Sequence, residues 1–165
     1  MLRLRELQTS DEPLLVQYLN NPNVTRFLSS RIPKPYTQAD AHWWVETGSK
    51  DKAIVRAMEY DGEFCGVVGV YTQAFEYAHT GEVGYWLAEE FWGQGITTQA
   101  LRQFCDDLFN QTKLTRLYAP IFAPNIGSRR VLEKAGFEHE GQFRQALCKD
   151  GVYYDEYRFA RLKPH

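Results

Sequence analysis

Residues 82–110 read EVGYWLAEEFWGQGITTQALRQFCDDLFN, and the fold turns on this stretch. Glu82 to Leu87 is rich in apolar and aromatic residues, which suits a strand. From about Gly95 to Asn110 the spacing becomes helical. Thr97, Ala100, Leu101, Phe104, Cys105 and Leu108 fall on one stripe, with Gln99, Gln103 and Asp106 opposite. Between strand and helix lies Trp92-Gly93-Gln94-Gly95-Ile96-Thr97. Two glycines let the main chain turn sharply and come close to a ligand. The free N–H groups and positive dipole end of the following helix favour an anion, so a phosphate or pyrophosphate is the natural guest. The loop is not a Rossmann fingerprint, because the third glycine would fall on Thr98, and no Gly-Lys-Ser/Thr follows to make a P-loop. The same residues also suit a plain strand-to-helix turn.

A strand at 115–122 follows the helix, so residues 82–122 form a parallel strand–helix–strand unit. Upstream, Leu2 and Leu4 alternate with Arg3 and Arg5 in a strand at 1–7 with one wet face. Thr9 to Glu12 starts a helix carrying Leu14, Leu15, Tyr18 and Leu19, and Asn20-Asn21-Pro22 stops it. Thr37 to Asp40 starts another, with Ala41, Trp44, Val45 and Gly48 on one side. Strands at about 53–60 and 63–74 meet at Asp61-Gly62, a pair preferred in tight primed turns. Val67, Val68, Val70 and Tyr71 mark the second of these as central and covered on both faces. Downstream, a helix at 126–135 closes at Gly136 in a left-handed position. Strands at about 138–148 and 151–162 join at Asp150-Gly151. The order βααβββαβαββ predicts a mixed α/β (α+β) fold around one seven-stranded sheet. No linker or repeat interrupts it, so residues 1–165 read as a single domain.

Hydrophobic residues make up 44% of the 165 and charged residues 24%, which excludes a disordered chain. Lys plus Arg number 19 against 21 Asp plus Glu, a net charge of -2, so no electrostatic footprint for nucleic acid or an anionic membrane exists. The longest apolar run, Cys65 to Tyr71, is too short to span a bilayer, and Met1 to Arg5 does not begin a signal peptide. A cytoplasmic location is expected. Cys65, Cys105 and Cys148 are scattered and read as reduced, buried thiols. His42, His79, His139 and His165 lack metal-ligand spacing, so no metal site is expected.

A second constellation follows the fifth strand. Asn125, Ser128, Arg129 and Leu132 share one helix face. Asn125 can cap that helix. Alternatively, its amide and the Ser128 hydroxyl hold the polar arm of a ligand lying beside strands four and five. Pro120 cannot donate a ladder hydrogen bond, so the strand carrying it is incompletely paired. A gap there, beside a phosphate-binding loop, would admit a slender ligand.

Trp-Gly-Gln-Gly-Ile-Thr, followed about thirty residues later by Asn-x-x-Ser-x-x-x-Leu-Glu-Lys-x-Gly-Phe, resembles the GNAT superfamily of acyl-CoA N-acetyltransferases. The resemblance runs from residue 1 to about 162. EVGYWL at 82–87 and DGVYYD at 150–155 resemble the RimJ/RimL-like branch, which includes ribosomal-protein N-terminal acetyltransferases. The resemblance implies a seven-stranded sheet with a gap between strands four and five. It implies acetyl-CoA as cosubstrate, with Gly93, Gln94, Gly95, Ile96 and Thr97 holding the pyrophosphate through main-chain N–H groups. Family loops usually have Gly or Ala where Thr97 stands. Leu87 would offer backbone groups to the pantetheine or thioester, and Asn125 would contact the pantetheine. Many members place a tyrosine acid where this chain has Leu132, whereas the RimJ/RimL-like branch has Ser128 instead. A glutamate that some of that branch use is here Leu147.

The implied reaction moves an acetyl group to a neutral amine. An N-terminal amine of pKa roughly 7.8 costs about 1 kcal/mol to deprotonate at pH 7, and a lysine or polyamine near ~10.4 about 4.6 kcal/mol. Without a glutamate at 147, the easier amine is favoured, with Glu82 as candidate base, directly or through water; otherwise it is a strand-end surface carboxylate. A backbone N–H near Trp86 or Leu87 would stabilise the oxyanion. Thiolate departure from a thiol near ~8.5 costs about 2 kcal/mol, so acid help from Ser128 is useful but not obligatory. Trp43, Tyr36, Phe75 and Tyr77 are candidates for lining an acceptor pocket; Arg129 and Arg130 meet a CoA phosphate or solvate a helix face. The leading acceptor is a peptide or protein N-terminus. The alternatives are a small amine (polyamine, amino acid derivative or antibiotic) and a non-catalytic acyl-CoA-binding module, as a monomer or homodimer.

Overall fold

Both Asp-Gly pairs build the turns their chemistry demands. In the computed structural model, which describes all 165 residues, Asp61 and Gly62 have φ of 50° and 84°, and Asp150 and Gly151 of 51° and 77°. Two successive positive φ angles define the primed turn whose twist matches paired strands. Each turn closes a hairpin: β2 (Ala53–Tyr60) with β3 (Glu63–Thr72), and β6 (Glu138–Lys149) with β7 (Val152–Leu162). With β1 (Leu2–Arg5), β4 (Thr80–Leu87) and β5 (Arg116–Phe122) they form one sheet in the order β1-β2-β3-β4-β5-β7-β6. All pairs are antiparallel except β4–β5. That parallel pair spans only Thr80↔Arg116, Gly81↔Leu117 and Glu82↔Tyr118. Beyond Glu82 the two strands part, which places the expected gap between strands four and five.

Helices cover both faces. On one, α4 (Ile96–Gln111) and α5 (Ile126–Lys134) pack Leu101, Phe104 and Leu132 against Val68, Val70, Val83 and Leu117. On the other, α1 (Glu12–Leu19) and α3 (Gln38–Glu46) pack Leu15, Tyr18, Ala41 and Val45 against Val55 and Val67. β3 feeds both cores, with Phe64 to Val70 buried, as its continuous apolar run requires.

Four local expectations are corrected. Pro22 not only ends α1: it occupies the first turn of a further short helix, α2 (Pro22–Thr25), capped by the Asn21 side chain. Thr9–Asp11 form a 3-10 turn before α1. Cys65 and Cys105 are buried, but Cys148 is exposed. The wet face of β1 is wet only at Arg3. Arg5 donates to both Asp11 carboxylate oxygens at 2.9 Å and to Glu59 at 2.6 Å, with its side chain 11% exposed and that of Asp11 4%. Asp11 also accepts the Gln8 N–H at 2.8 Å. A buried cation that loses its chief partner is costly. Asp11→Ala is therefore expected to destabilise the fold by about 3 kcal/mol, read as a lower urea midpoint at an unchanged slope.

Candidate active site

The parting of β4 and β5 leaves main-chain groups without a neighbouring strand. The Ala88 N–H donates to Cys65 O at 2.8 Å. Antiparallel strands alternate their bonding direction, so Trp86 also bonds toward β3, while the groups of Val83, Tyr85 and Leu87 face β5. Across the gap, the Ala123 N–H donates to Asp155 O. Alternation then turns position 120 away from β7 and toward the gap, where Pro120 has no N–H to offer. Of the two candidate oxyanion donors, Leu87 is the one aimed into the opening. Its carbonyl already accepts the Trp92 indole N–H at 2.8 Å, which ties the glycine loop back to the strand end.

At the mouth of this gap, Gly93 and Gly95 adopt φ of 78° and 75°, and nothing lies within 4 Å of a Cβ built at either. Gly95 caps α4 in the left-handed region without a side-chain hydrogen bond. The first-turn N–H groups at Ile96 and Thr97 therefore remain available to an anion. Gln94 sits exposed between the glycines. A groove of about 510 Å³ starts at Gly95 and runs outside α4 past Thr98, Gln99 and Arg102 to Lys134. It adjoins the loop rather than the gap.

Asn125 caps α5 by accepting the Ser128 N–H at 3.2 Å, so its amide nitrogen stays free to donate. The Ser128 hydroxyl lies 2.5 Å from the Tyr85 hydroxyl, a bond from α5 to β4 at the gap. Burial pushes the Tyr85 phenol well above its ordinary value, against the smaller opposing effect of the Ser128 bond, so it stays protonated at neutral pH. Sequence reading missed this pair. The available signal was alternation: Tyr85 shares its face with buried Val83 and Leu87. Leu132 is fully buried in the core.

Glu82 occupies the last paired position before the strands part and faces away from the α4 core. A Cβ on neighbouring Gly81 would meet Val70, Leu114 and Leu117, which fixes the opposite face for Glu82. Its carboxylate is half-buried and forms no hydrogen bond or ion pair. Tyr71 on β3 and Tyr118 on β5 are its register partners. Both phenols are raised, chiefly by burial and also by the Glu82 charge.

Other candidates fall elsewhere. Tyr36 is buried in the α1–α3 core, and Phe75 and Tyr77 are exposed before β4, at the strand end opposite the glycine loop. Trp43 is exposed on α3. Arg129 pairs with Glu133 at 2.9 Å, the helix-face role, and Arg130 is exposed. Leu147 faces Tyr154 in the last hairpin. Glu12, His42 and Glu46 bring ligand atoms within 4.8 Å of one another on α1 and α3, unforeseen from their spacing. Both Glu12 oxygens there are already engaged, by Gln38 and His42. No helix is long and apolar enough to cross a membrane.

Comparison with known proteins fits this geometry. The chain is 35% identical to Bacillus subtilis YdaF over 110 residues, 67% of this chain and 60% of that relative, so it spans about three-fifths of the length of that relative. It is 24% identical over 162 residues to the L-amino acid N-acetyltransferase AaaT of Escherichia coli K12, covering 97% of each. Over 83 residues it is 35% identical to the ribosomal-protein-serine acetyltransferase of the same organism, 50% of this chain and 46% of that one. The fold superimposes with a TM-score of 0.87 on RimL, the ribosomal L7/L12 alpha-N-protein acetyltransferase solved with coenzyme A, at 24% identity over 98% of this chain and 94% of that one. Residues 1–138 match the family described as the acetyltransferase (GNAT) domain. The chain that opens its sheet beside a glycine loop thus belongs to the GNAT acetyltransferase family.

Proposed function

We propose that residues 1–165 act as one acetyl-CoA-dependent N-acetyltransferase unit whose acceptor is an α-amine, most of all a peptide or protein N-terminus. The observation that carries the reading is the gap: strand-edge groups at Tyr85 and Leu87 with no facing strand, the Val83 carbonyl opposite Pro120, and an anion-receiving loop at its mouth. The pantetheine amides would pair there as an added strand does. Gly93 to Thr97 would take the pyrophosphate, and Asn125 the pantetheine through its free amide nitrogen. No metal enters the scheme.

Attack by the neutral amine on the thioester carbon would form the C–N bond and collapse would break the C–S bond. After attack the amine nitrogen would lose one proton, to Glu82 directly or through a water, from the face opposite α5. The developing oxyanion would meet the Leu87 N–H. The thiolate would take a proton relayed from water through the Ser128 hydroxyl, which gives up one proton as it regains another and which Tyr85 would orient by donating to its oxygen. A buried, protonated phenol suits that duty.

Two named relatives support the acceptor class. One acts on L-amino acids and the other on a ribosomal protein's serine. A free amino acid offers an α-amine, and so does a chain that begins with serine. The full-length match to AaaT favours a free amino acid as the second reading. The reading takes the acceptor to be met in the cytoplasm.

Coenzyme A at a hundredfold excess over its Kd should stabilise the fold by about 2.7 kcal/mol, seen as a raised Tm. Gly95→Val, which forces a β-branched residue to positive φ, should abolish that rise. In a thiol-release assay over serine-initiated peptides, L-amino acids and polyamines, the α-amines should react first. Glu82→Gln should lower kcat by about 10²-fold with coenzyme A binding intact. Ser128→Ala should lower kcat more than Tyr85→Phe does. Equal turnover by Ser128→Ala and the wild type would end the acid role; coenzyme A binding without turnover of any amine would leave only a binding module.

A further inference from the structure

One segment crosses the gap that β4 and β5 leave. Residues 21–28 comprise α2 and the turn after it. Val24 packs in the α1–α3 core, so the segment lies on the face away from α5. At its start, the Asn21 and Asn23 amides donate to the Glu89 carboxylate at 2.8 and 3.1 Å, two residues past the end of β4. At its end, the Lys149 ammonium donates to Thr25 O at 2.7 Å, Arg26 O at 3.0 Å and Leu28 O at 2.7 Å. Lys149 is the last residue of β6, across the sheet from β4. Between these anchors, Phe27 packs 5.6 Å from Phe122, the last residue of β5, and Phe122 meets Tyr154 edge-on at 5.2 Å. The segment thus touches the β4 side at one end and the β5, β7 and β6 side at the other. It roofs the gap.

Lys149 supplies the hydrogen bonds that hold the far end, beside the packing of Phe27 and Leu28. It is 9% exposed and forms no ion pair. An ammonium has three protons, and three carbonyls take them. Two of the three belong to the C-terminal end of α2 and its cap, where a helix presents free carbonyls and negative dipole. Partners 121 to 124 residues apart make this a tie that no local turn replaces. The hairpin is shaped to deliver it. A register shift between Phe143 and Leu147, pinned by the Gln145 N–H to Asp155 bond at 2.8 Å, bends β6 ahead of its end.

Building on the acyl-transfer reading, we propose that Lys149 is a positioning residue for the acceptor: it latches residues 21–28 over the gap and so sets acceptor affinity without altering that of coenzyme A. The two faces of the gap divide the work. The glycine loop leads into α4, and Ser128 and Asn125 sit on α5, so coenzyme A is held from the α4–α5 face. Glu82 faces the roofed side, where the incoming amine must arrive. A loosened roof changes what the amine meets and leaves the loop alone.

The test compares wild type, Lys149→Met, Lys149→Arg and Asn23→Ala, with both substrates varied and amide exchange read over residues 22–32. Lys149→Met should raise the acceptor KM about tenfold, keep the acetyl-CoA KM within about twofold, and speed exchange across the segment. Lys149→Arg, which keeps the charge, should recover part of both effects. Asn23→Ala, loosening the opposite anchor, should shift the acceptor KM in the same direction but less, and it serves if Lys149→Met does not fold. An unchanged acceptor KM in a folded Lys149→Met, or a parallel rise in both KM values, overturns the proposal. A wild type that binds coenzyme A yet acetylates no amine defeats the acyl-transfer reading instead. Exchange needs no acceptor, so unchanged exchange in Lys149→Met would still defeat the latch by itself.

Discussion

Every main-chain donor and acceptor inside a sheet needs a partner, and this chain withholds partners at one place. β4 and β5 pair over three residues and then separate. Pro120 removes a donor on the side that would have bonded β4. The strands' outer sides stay fully committed, β4 to β3 and β5 to β7. The opening therefore persists without unravelling the sheet. A ligand with amides along its length would meet the Val83 carbonyl and the Tyr85 and Leu87 groups already oriented. Binding such a ligand completes a sheet rather than creating a contact on a smooth surface.

The legible parts of the fold were those fixed by local chemistry. Asp-Gly pairs set two hairpins, helical spacing set α4, and Gly136 closed α5 with a φ of 89°. Each of these depends on residues within a few positions of one another. The glycine loop was legible for the same reason. Contacts between distant residues were not. Nothing within reach of Arg5 in sequence announces Glu59, and nothing near Lys149 announces the carbonyls of Thr25 and Leu28. Alternation in β1 correctly turned Arg5 away from Leu4's face but took that face for a wet one. It could not show that Asp11 and Glu59 would close over it. Pro22 shows the opposite error: a residue that ends one helix was also well placed to begin the next.

On the proposed mechanism, the hydroxyl pair would let an acid role move between positions while its chemistry stays. A tyrosine acid at position 132 would have reached the gap from α5, but Leu132 has gone into the core. Ser128 stands one turn earlier on the same face, and its side chain is too short and too weak an acid to act well alone. Tyr85 supplies a phenol from the strand opposite, 2.5 Å away. Burial makes that phenol a poorer proton donor in the full sense of ionising, yet a dependable hydrogen-bond donor. Only the second property is needed to aim a serine hydroxyl.

Two buried cations in this chain are held in contrasting ways. Arg5 sits between the carboxylates of Asp11 and Glu59 and joins β1 to the start of α1. Breaking that tie leaves charges stranded, so the element it secures is fixed. Lys149 is held by dipoles only. Burial, with Lys34 adding to it, lowers the pKa of its ammonium, opposed by the weaker pull of Asp150. Carbonyl groups released from such a clasp find water easily, and an ammonium swinging out regains its hydration. The proposed latch over the acceptor side is thus held by carbonyls alone. The tie between β1 and the start of α1 is instead made by paired charges.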